Sequence, residues 1–326
     1  MRPSYNRKSQ KINIRGKKMA KMKKKLQFRY YTIPTGDYIL AKIGKSWEQE
    51  YGLGYGEMLH FHNYLEIGYC YSGKGRLIIE NKTYRYGNGY FTIIPANIPH
   101  TTISDAGNIC KWEFLFIDLE EFIKNEMKTT KIPIGDMIRI INKHGTMKTM
   151  KHHAAVGETI LKIIKECREE GLYYKESLKG YLEVLVIEIL RLDEEREQVH
   201  KGNKQNQYIK NAIDYFNIHY SQDIKIAEMA EKCGLSESHF RKVFEDTMNM
   251  KPNDFINFVR IRKACDLMKR ADMSMDEIGI RVGYQTASTF NRNFRKITGN
   301  TPYQWKKEEQ SHEGIMTDFK ISAEKG

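Results

Sequence analysis

The sequence predicts an α+β protein with more than one domain. An N-terminal β-barrel of the jelly-roll type with a helical hairpin precedes an all-α domain of two helix-turn-helix motifs joined by a linker helix. Three observations predict this fold class. Residues 76–95 alternate between polar and apolar side chains and are rich in β-branched and aromatic residues. Residues 152–195 place apolar residues at helical spacing. A pattern that begins at Gly234 is repeated from Gly283.

The composition indicates the class of protein before any motif is considered. The chain has 326 residues, which suits about two domains, and its content of 40% hydrophobic and 11% aromatic residues is typical of a globular protein. No apolar run approaches the ~18–20 residues of a membrane span, so we expect no membrane partner. The five cysteines are widely spaced and include no CxxC pair. They predict reduced thiols and a cytoplasmic protein.

The net charge of +13 is concentrated near the N-terminus, where residues 1–25 hold eleven Lys and Arg residues and no Asp or Glu. We expect residues 1–27 to form a basic, disordered leader that stays in solvent. Two alternatives are a nucleic-acid-binding arm and translation upstream of a true start at Met19 or Met22.

Residues 28–150 are expected to form the β-rich domain. Their short alternating segments, separated by Gly and Asn-Gly, predict antiparallel strands joined by hairpins and closed into a barrel or jelly roll. Trp112 lies in an apolar run with strand character, so we expect it in the barrel core.

Two spaced motifs lie within this region. The first consists of Gly54, His60, His62, Glu66 and Gly73, and the second of Gly89, Pro95, Asn97 and His100. Together they resemble the two motifs of the cupin superfamily. Asn97 stands where glycine is usual, and asparagine tolerates the positive φ of a turn.

In metal-binding cupins, the two histidines, the glutamate and the distal histidine of these motifs ligate a metal. The resemblance transfers that set to His60, His62, Glu66 and His100, whose imidazoles and carboxylate suit Fe, Mn, Ni or Zn. The alternative is a pocket that binds a small effector without metal. We expect the second: an effector site at these four residues, with no metal and no cofactor.

Residues 151–195 predict a helical hairpin around Gly171. One apolar stripe contains Ile160, Ile163, Ile164 and Cys167, and the other contains Leu178, Tyr181, Leu182, Leu185, Val186, Ile189 and Leu192. The hairpin is expected to mediate dimerisation, with packing against the barrel of the same chain as the alternative. Residues 196–207 are polar and predict a linker.

The repeat near the C-terminus predicts a paired module. The equivalent positions are Gly234 and Gly283, Leu235 and Tyr284, Phe240 and Phe290, Phe244 and Phe294, Pro252 and Pro302, and Phe255 and Trp305. In each copy a helix ends at the glycine, which can take positive φ, and a second helix follows. Ser236 and Thr286 are expected to cap the second helices, and Ser274 with Glu277 forms a capping box.

Residues 253–270 contain no Pro or Gly and place apolar side chains at roughly helical spacing. They predict a helix of about 25 Å that joins the two motifs. Such a helix could hold two recognition helices near one turn of DNA apart, about 34 Å. At one position of the apolar stripe, the helical spacing is satisfied by either Ile261 or Arg262.

Residues 208–308 resemble the DNA-binding domain of the AraC/XylS family of transcription regulators. The resemblance rests on the segment from Gly283 to Trp305, "GYQTASTFNRNFRKITGNTPYQW". It implies that both recognition helices enter successive major grooves. The candidate DNA-binding residues are then Ser238, His239, Arg241 and Lys242 in the first copy and Ala287, Ser288, Asn291 and Arg292 in the second. Lys225 departs from the pattern, because Ser or Thr usually caps the helix there.

We expect the protein to be a ligand-responsive, sequence-specific transcriptional regulator and not an enzyme. Because activation is the commoner role in the family that it resembles, we expect an activator. Its expected partners are double-stranded DNA at a promoter or operator, a small-molecule effector such as a sugar, a second copy of the chain and RNA polymerase. The alternative is a metal-dependent cupin enzyme fused to a DNA-binding module. Residues 309–326 are expected to be a C-terminal tail.

Overall fold

The computed structural model describes residues 26–52, 59–80, 82–127, 131–199, 204–248, 250–270, 272–311 and 317–321. The basic leader expected at residues 1–27 lies outside these ranges except for its last two residues, which begin the first strand. None of the described helices is both long and apolar enough to cross a membrane.

The β-rich half forms two sheets that face each other. Its strands are β1 (Leu26–Tyr30), β2 (Ile39–Lys42), β3 (Glu48–Gln49), β4 (Leu59–His62), β5 (Leu65–Ser72), β6 (Gly75–Ile79), β7 (Lys82–Tyr86), β8 (Tyr90–Ile94), β9 (His100–Ser104), β10 (Cys110–Ile117) and β11 (Thr146–Thr149), with β12 (Thr317–Ile321) joining from the tail. One sheet has the order β12-β1-β4-β9-β6-β7, and the other has the order β11-β8-β5-β10-β2 with β3 beside β10. The predicted jelly-roll fold class is confirmed.

The side chains of strand β5 alternate between two hydrophobic cores, one on each face of the sheet. Its residues Ile67 and Tyr69 pack with the helices outside the sheet, whereas Cys70 faces the barrel interior with Trp112. Both faces are covered, so β5 is buried over most of its length and lacks a solvent side. Trp112 is fully buried, as predicted.

Four helices flank the second sheet: α1 (Leu119–Glu126), α2 (Ile134–Ile141), α3 (Ala154–Glu169) and α4 (Tyr174–Val199). The helices α3 and α4 form the predicted hairpin, and the turn between them uses positive φ at Glu170 and Tyr173. Both apolar stripes join the core that covers the sheet, with Ile160, Ile163, Leu182, Leu185 and Val186 buried there. The stripes are therefore covered within the chain, and pairing with a second copy stays a prediction.

The described residues 204–311 of the C-terminal half form helices joined by short turns. It contains α5 (Lys204–His219), α6 (Ile226–Lys232), α7 (Glu237–Met248), α8 (Pro252–Arg270), α9 (Met275–Arg281), α10 (Ala287–Thr298) and α11 (Pro302–Ser311). The end of α4 and the start of α5 both fall inside the polar segment 196–207, so helices extend into it from either side.

The two helix-turn-helix units have the predicted turns and caps. Gly234 and Gly283 take φ of 65° and 97°. Ser274 and Glu277 form the capping box, and Thr286 accepts a hydrogen bond from the Thr289 amide. Ser236 likewise caps α7 by accepting from the His239 amide. No side chain caps α6 at Lys225, which agrees with the departure noted in the sequence.

The helix α8 also joins the two halves of the molecule. Phe258 on α8 packs against Phe28 of β1 and Phe61 of β4, with ring centroids 4.7 and 4.5 Å apart. Tyr30 donates a hydrogen bond to Asp266 at 3.0 Å, and its ring packs edge-on against Trp305. The core of the helical domain thus continues into the first sheet.

Candidate functional site

The candidate DNA-binding residues lie at the surface of α7 and α10. Seven of the eight are exposed: Ser238, His239, Lys242, Ala287, Ser288, Asn291 and Arg292. Arg241 is half-buried, and its guanidinium contacts Glu237 at 2.7 Å on the same helix. The apolar face beneath them is formed by Phe240, Phe244, Phe290 and Phe294, all fully buried. Contact of these eight residues with DNA stays a prediction.

The two helices differ in charge. Helix α10 carries Arg292, Arg295 and Lys296 and contains no Asp or Glu. Helix α7 carries Glu237, Glu245 and Asp246 beside its two basic residues. A phosphate backbone is therefore attracted more strongly to α10 than to α7.

The four predicted effector-site residues converge inside the barrel. His60 and His62 come from β4, Glu66 from β5 and His100 from β9, where His60 and His100 are register partners. The rings of His60 and His100 have centroids 4.2 Å apart. The Nε2 atom of His62 lies 3.1 Å from Glu66 Oε2, and Nε2 of His100 lies 3.5 Å from Oε1. The sequence spacing thus identified side chains that meet in space.

Hydrogen bonds to backbone carbonyls orient two of these rings. Nδ1 of His62 bonds the Tyr64 carbonyl at 2.8 Å, and Nδ1 of His100 bonds the Ile98 carbonyl at 2.9 Å. A carbonyl oxygen can only accept, so Nδ1 carries the proton in both rings. In the neutral rings Nε2 is then an acceptor, and it faces a carboxylate oxygen of Glu66.

Two facing acceptors at such distances need a positive centre between them, either a shared proton or a metal ion. Ligand atoms of His60, Glu66 and His100 all lie within 4.8 Å of one another. Carbonyl-oriented imidazoles with free Nε2 atoms are the arrangement found around metals in proteins. The donor set therefore fits a divalent transition-metal ion, although we expected an effector site without metal from the sequence.

Burial and charge set the ionisation of the site. Burial lowers the pKa of His62 despite the nearby Glu66. Burial, with Arg29 and His100 as further causes, lowers the pKa of His60 well below its usual value. Burial alone would raise the pKa of Glu66, but attraction and hydrogen bonding to His100 and His62 lower it overall. At neutral pH the site thus presents the ionised carboxylate of Glu66 beside the neutral imidazoles of His60 and His62.

Aromatic side chains enclose one side of the four residues. The ring of Phe116 lies 5.1 Å from that of His62, and Tyr31 stacks on Phe116 with centroids 3.8 Å apart. An apolar wall beside a few convergent polar groups is typical of small-molecule sites.

Sequence reasoning missed a connection between this site and α8. Asn97, predicted only as a turn residue, does take positive φ at 68°. Its backbone N–H also donates a hydrogen bond to the His62 carbonyl at 2.9 Å, and its side-chain oxygen accepts one from Arg262 at 3.5 Å. The sequence feature that could have indicated this contact is the position of Arg262 on the apolar stripe of the linker helix. A charged side chain at such a position is buried and needs a polar partner.

Comparisons with known proteins agree with the two halves. Residues 47–118 match the family model of the cupin domain, and residues 229–308 match that of a helix-turn-helix domain. An HTH-type transcriptional regulator of Staphylococcus aureus is 23% identical over 245 residues, which cover 75% of this chain and 31% of that protein. The chain therefore spans about a third of the length of this curated relative.

Two further relatives are similar over most of their own length. The melibiose operon regulatory protein of Escherichia coli is 22% identical over 260 residues, covering 76% of this chain and 83% of that protein. The structure of ToxT from Vibrio cholerae with bound unsaturated fatty acid is 13% identical, covers 84% of this chain and 97% of that one, and has a TM-score of 0.39. The chain thus combines a cupin domain with a helix-turn-helix domain, and the resemblance to AraC/XylS regulators that its motifs indicated is confirmed.

Proposed function

We propose that the chain is a ligand-responsive transcriptional regulator that reads a specific sequence of double-stranded DNA. One observation carries the proposal: two helix-turn-helix units share a buried frame and differ in their exposed polar residues. Phe240 and Phe290 occupy equivalent buried positions, whereas Lys242 and Arg292 lie outside. A shared frame with different surface residues suits the reading of two different base sequences.

The proposed effector site is the group of His60, His62, Glu66 and His100. A polyhydroxylated molecule such as a sugar could donate hydrogen bonds to the free Nε2 atoms and to the ionised carboxylate, and stack on the aromatic wall. No cofactor is needed for this role.

Strand β4 offers a direct route from that site to the DNA-binding domain. His60 and His62 face the barrel interior, and Phe61 between them faces the opposite way. Its ring packs against Phe258 of α8. A ligand that shifts β4 therefore changes the packing of the helix that joins the two helix-turn-helix units. The protein would then have two arrangements of its helix-turn-helix units, one favoured with effector and one without. The change in DNA affinity can be no larger than the difference in the effector's affinity for these two arrangements.

Further parts of the proposal concern assembly and output. The hairpin exposes Leu172, Tyr173 and Val184, which favours contact with a second copy. A dimer would bring four helix-turn-helix units to one operator. We propose that the protein acts in the cytoplasm, more as an activator that contacts RNA polymerase than as a repressor, and that it catalyses no reaction.

Selection from random DNA duplexes tests the proposal. We expect the full chain to enrich a motif with two elements about one helical turn, 10–10.5 base pairs, apart. A variant with Asn291→Ala and Arg292→Ala should lose one element and keep the other. If neither protein enriches any sequence, the chain is a general nucleic-acid binder and the proposal is wrong.

A second candidate function is a metal-dependent cupin enzyme, and the cluster of His60, Glu66 and His100 is the observation that favours it. If bound, a metal could polarise a substrate oxygen or activate water. Metal analysis of the purified protein separates the two functions. A stoichiometric transition metal that is lost in His100→Ala, together with turnover of a substrate, would favour the enzyme over the regulator.

A further inference from the structure

The strand β12 (Thr317–Ile321) follows the helical domain in the chain but belongs to the first sheet of the cupin domain. It pairs antiparallel with β1, from Leu26 opposite Ile321 to Tyr30 opposite Thr317. Without β12, β1 would be the edge strand of that sheet, with its outer backbone groups unpaired. The chain therefore returns from the DNA-binding domain to the barrel and covers one edge of it.

The same strand lies beside α10, the helix of the second helix-turn-helix unit that is proposed to read DNA. Cα atoms of β12 come within 8 Å of Cα atoms of α10. Strand β1 is joined to α10 as well, because the Tyr30 ring packs against Trp305 with centroids 5.4 Å apart. Trp305 in turn packs against Phe294 of α10 at 6.2 Å. Strand β12 thus contacts both the barrel edge and a proposed recognition helix.

The other neighbours of α10 indicate which side of the helix β12 occupies. The buried face of α10 packs against α8, α9 and α11. Its candidate DNA-binding residues, Ala287, Ser288, Asn291 and Arg292, remain exposed. Strand β12 therefore runs along a flank of α10, beside the face that would meet the bases and not over it.

The flanks of a recognition helix are where the DNA backbones run. The major groove is about 12 Å wide, and an α-helix with its side chains is about 10–12 Å across, so the helix fills the groove between two sugar-phosphate backbones. A peptide strand with Cα atoms within 8 Å of the helix occupies the space of one of these backbones. Full insertion of α10 into DNA and the docked position of β12 thus exclude each other.

We propose that β12 is an intramolecular strap that restrains α10, and that the second helix-turn-helix unit enters DNA only when the strap is released. The inference rests on the proposed function, because it requires α10 to read DNA. The strand order β12-β1-β4 places the strap one strand away from β4, which carries His60 and His62. A change at the effector site can therefore reach α10 through the pairing of β1, separately from the contact between Phe61 and Phe258.

Two adjacent prolines in the full chain release the strap. Successive residues of a strand point their N–H groups to opposite sides, so Phe319→Pro with Lys320→Pro removes one donor that faces β1. We expect this double variant to bind a DNA duplex of random sequence at least about threefold more tightly than the wild type. The loss of a cation by itself weakens DNA binding, so charge cannot explain such a rise.

Lys320→Thr is the matched control, because it removes the same charge and keeps the backbone N–H group. It should not raise the affinity for DNA. Equal affinities of the double proline variant and Lys320→Thr would overturn the proposal.

A disulfide that locks the strap tests the opposite direction. Arg29 and Asp318 are register partners, and antiparallel partners have Cα atoms about 4.5–5.5 Å apart, which suits a disulfide. Arg29→Cys with Asp318→Cys leaves the net charge unchanged. Oxidation should lower the affinity for the duplex about threefold or more, and dithiothreitol should restore it. The wild type, oxidised in the same way, controls for its own cysteines. Unchanged affinity once the bond has formed would overturn the strap, whether or not the proline variant folds.

Hydrogen exchange without DNA separates the strap from the proposed function. Amides of β1 should exchange faster in the double proline variant than in the wild type, and equal rates would mean that β12 does not pair with β1 in solution. If all variants bind DNA like the wild type, only the strap is wrong. If no variant and no wild type binds any duplex, the proposed function itself is wrong and the strap has nothing to restrain.

Discussion

Phe61 of the cupin domain and Phe258 of the linker helix meet edge to face, with ring centroids 4.5 Å apart and ring planes at 90°. The residues on either side of Phe61 are His60 and His62, which face the opposite side of the same strand. Phe258 lies between the two helix-turn-helix units. One aromatic contact therefore joins the effector-site strand to the helix that positions both DNA-reading elements.

A double-mutant cycle measures this contact. Phe61→Leu and Phe258→Leu each keep an apolar side chain but remove the edge-to-face geometry. We expect a coupling free energy of about 0.5–1.5 kcal/mol between them in urea unfolding. The cycle of Phe61→Leu with Phe290→Leu is the control, because Phe290 lies in the core of α10 among other partners, and its coupling should be near zero. Coupling near zero in both cycles would mean that the two domains do not communicate through these rings.

The local chemistry of the helical domain was readable from the sequence because it depends on neighbours along the chain. Gly234 and Gly283 provide positive φ, and Ser274 with Glu277 caps a helix within one turn. The convergence of His60 and His100 was also predicted, but from a family resemblance, since their pairing across β4 and β9 depends on the fold.

The contacts between the domains could not be predicted, because they join residues far apart in sequence. Periodicity left Ile261 and Arg262 as alternatives on the linker helix, and both are buried. Nothing in the spacing indicated that Arg262 reaches Asn97 of the cupin domain. The strand β12, which pairs with β1, also lies in a segment that was expected only to be a tail.

Arg292 is exposed on α10, on a helix without acidic residues. If it contacts a base edge, Arg292→Ala should cost about 1–3 kcal/mol of binding free energy on the selected DNA sequence and much less on random DNA. Titrations of both duplexes at one salt concentration measure this. Lys165→Ala, which removes an exposed cation from the hairpin, should change neither affinity. Equal losses on both duplexes would make Arg292 a phosphate contact.

Glu237 holds Arg241 along the surface of α7 at 2.7 Å. Glu237→Gln removes a negative charge and releases the guanidinium, so we expect affinity for duplex DNA to rise about two- to fivefold at low salt. Asp246→Asn removes the same charge from the same helix but leaves the contact between Arg241 and Glu237 intact, and it should raise affinity less. Titration of the two variants with one duplex compares them. A larger rise in Asp246→Asn would show that Arg241 does not approach the DNA.

Glu120 gives the domain interface a dependence on pH. Burial would raise its pKa, but Lys263 and Lys124 lower it to about 2 from the ordinary 4.5. A carboxyl whose folded-state pKa is depressed contributes stability that is complete above about pH 4.5 and is lost as the pH falls towards 2. Thermal unfolding at pH 6, 4 and 3 should therefore show a smaller loss for Glu120→Gln than for the wild type. Glu183→Gln, at an exposed position of α4, should follow the wild type; parallel curves for all three proteins would contradict the role of Glu120.

Gly234 and Gly283 occupy equivalent turns but differ in their surroundings. Both take positive φ, where alanine costs about 1–2 kcal/mol. A Cβ atom at Gly283 would also lie 2.8 Å from the Ser221 carbonyl oxygen, whereas no heavy atom lies within 4 Å of one at Gly234. Gly283→Ala should therefore lower the free energy of unfolding by more than Gly234→Ala. In addition to the strain of positive φ, which both variants share, the backbone at Ser221 must move to make room for the new Cβ atom. Urea unfolding of the two variants gives the comparison, and equal losses would show that the second turn relaxes without cost.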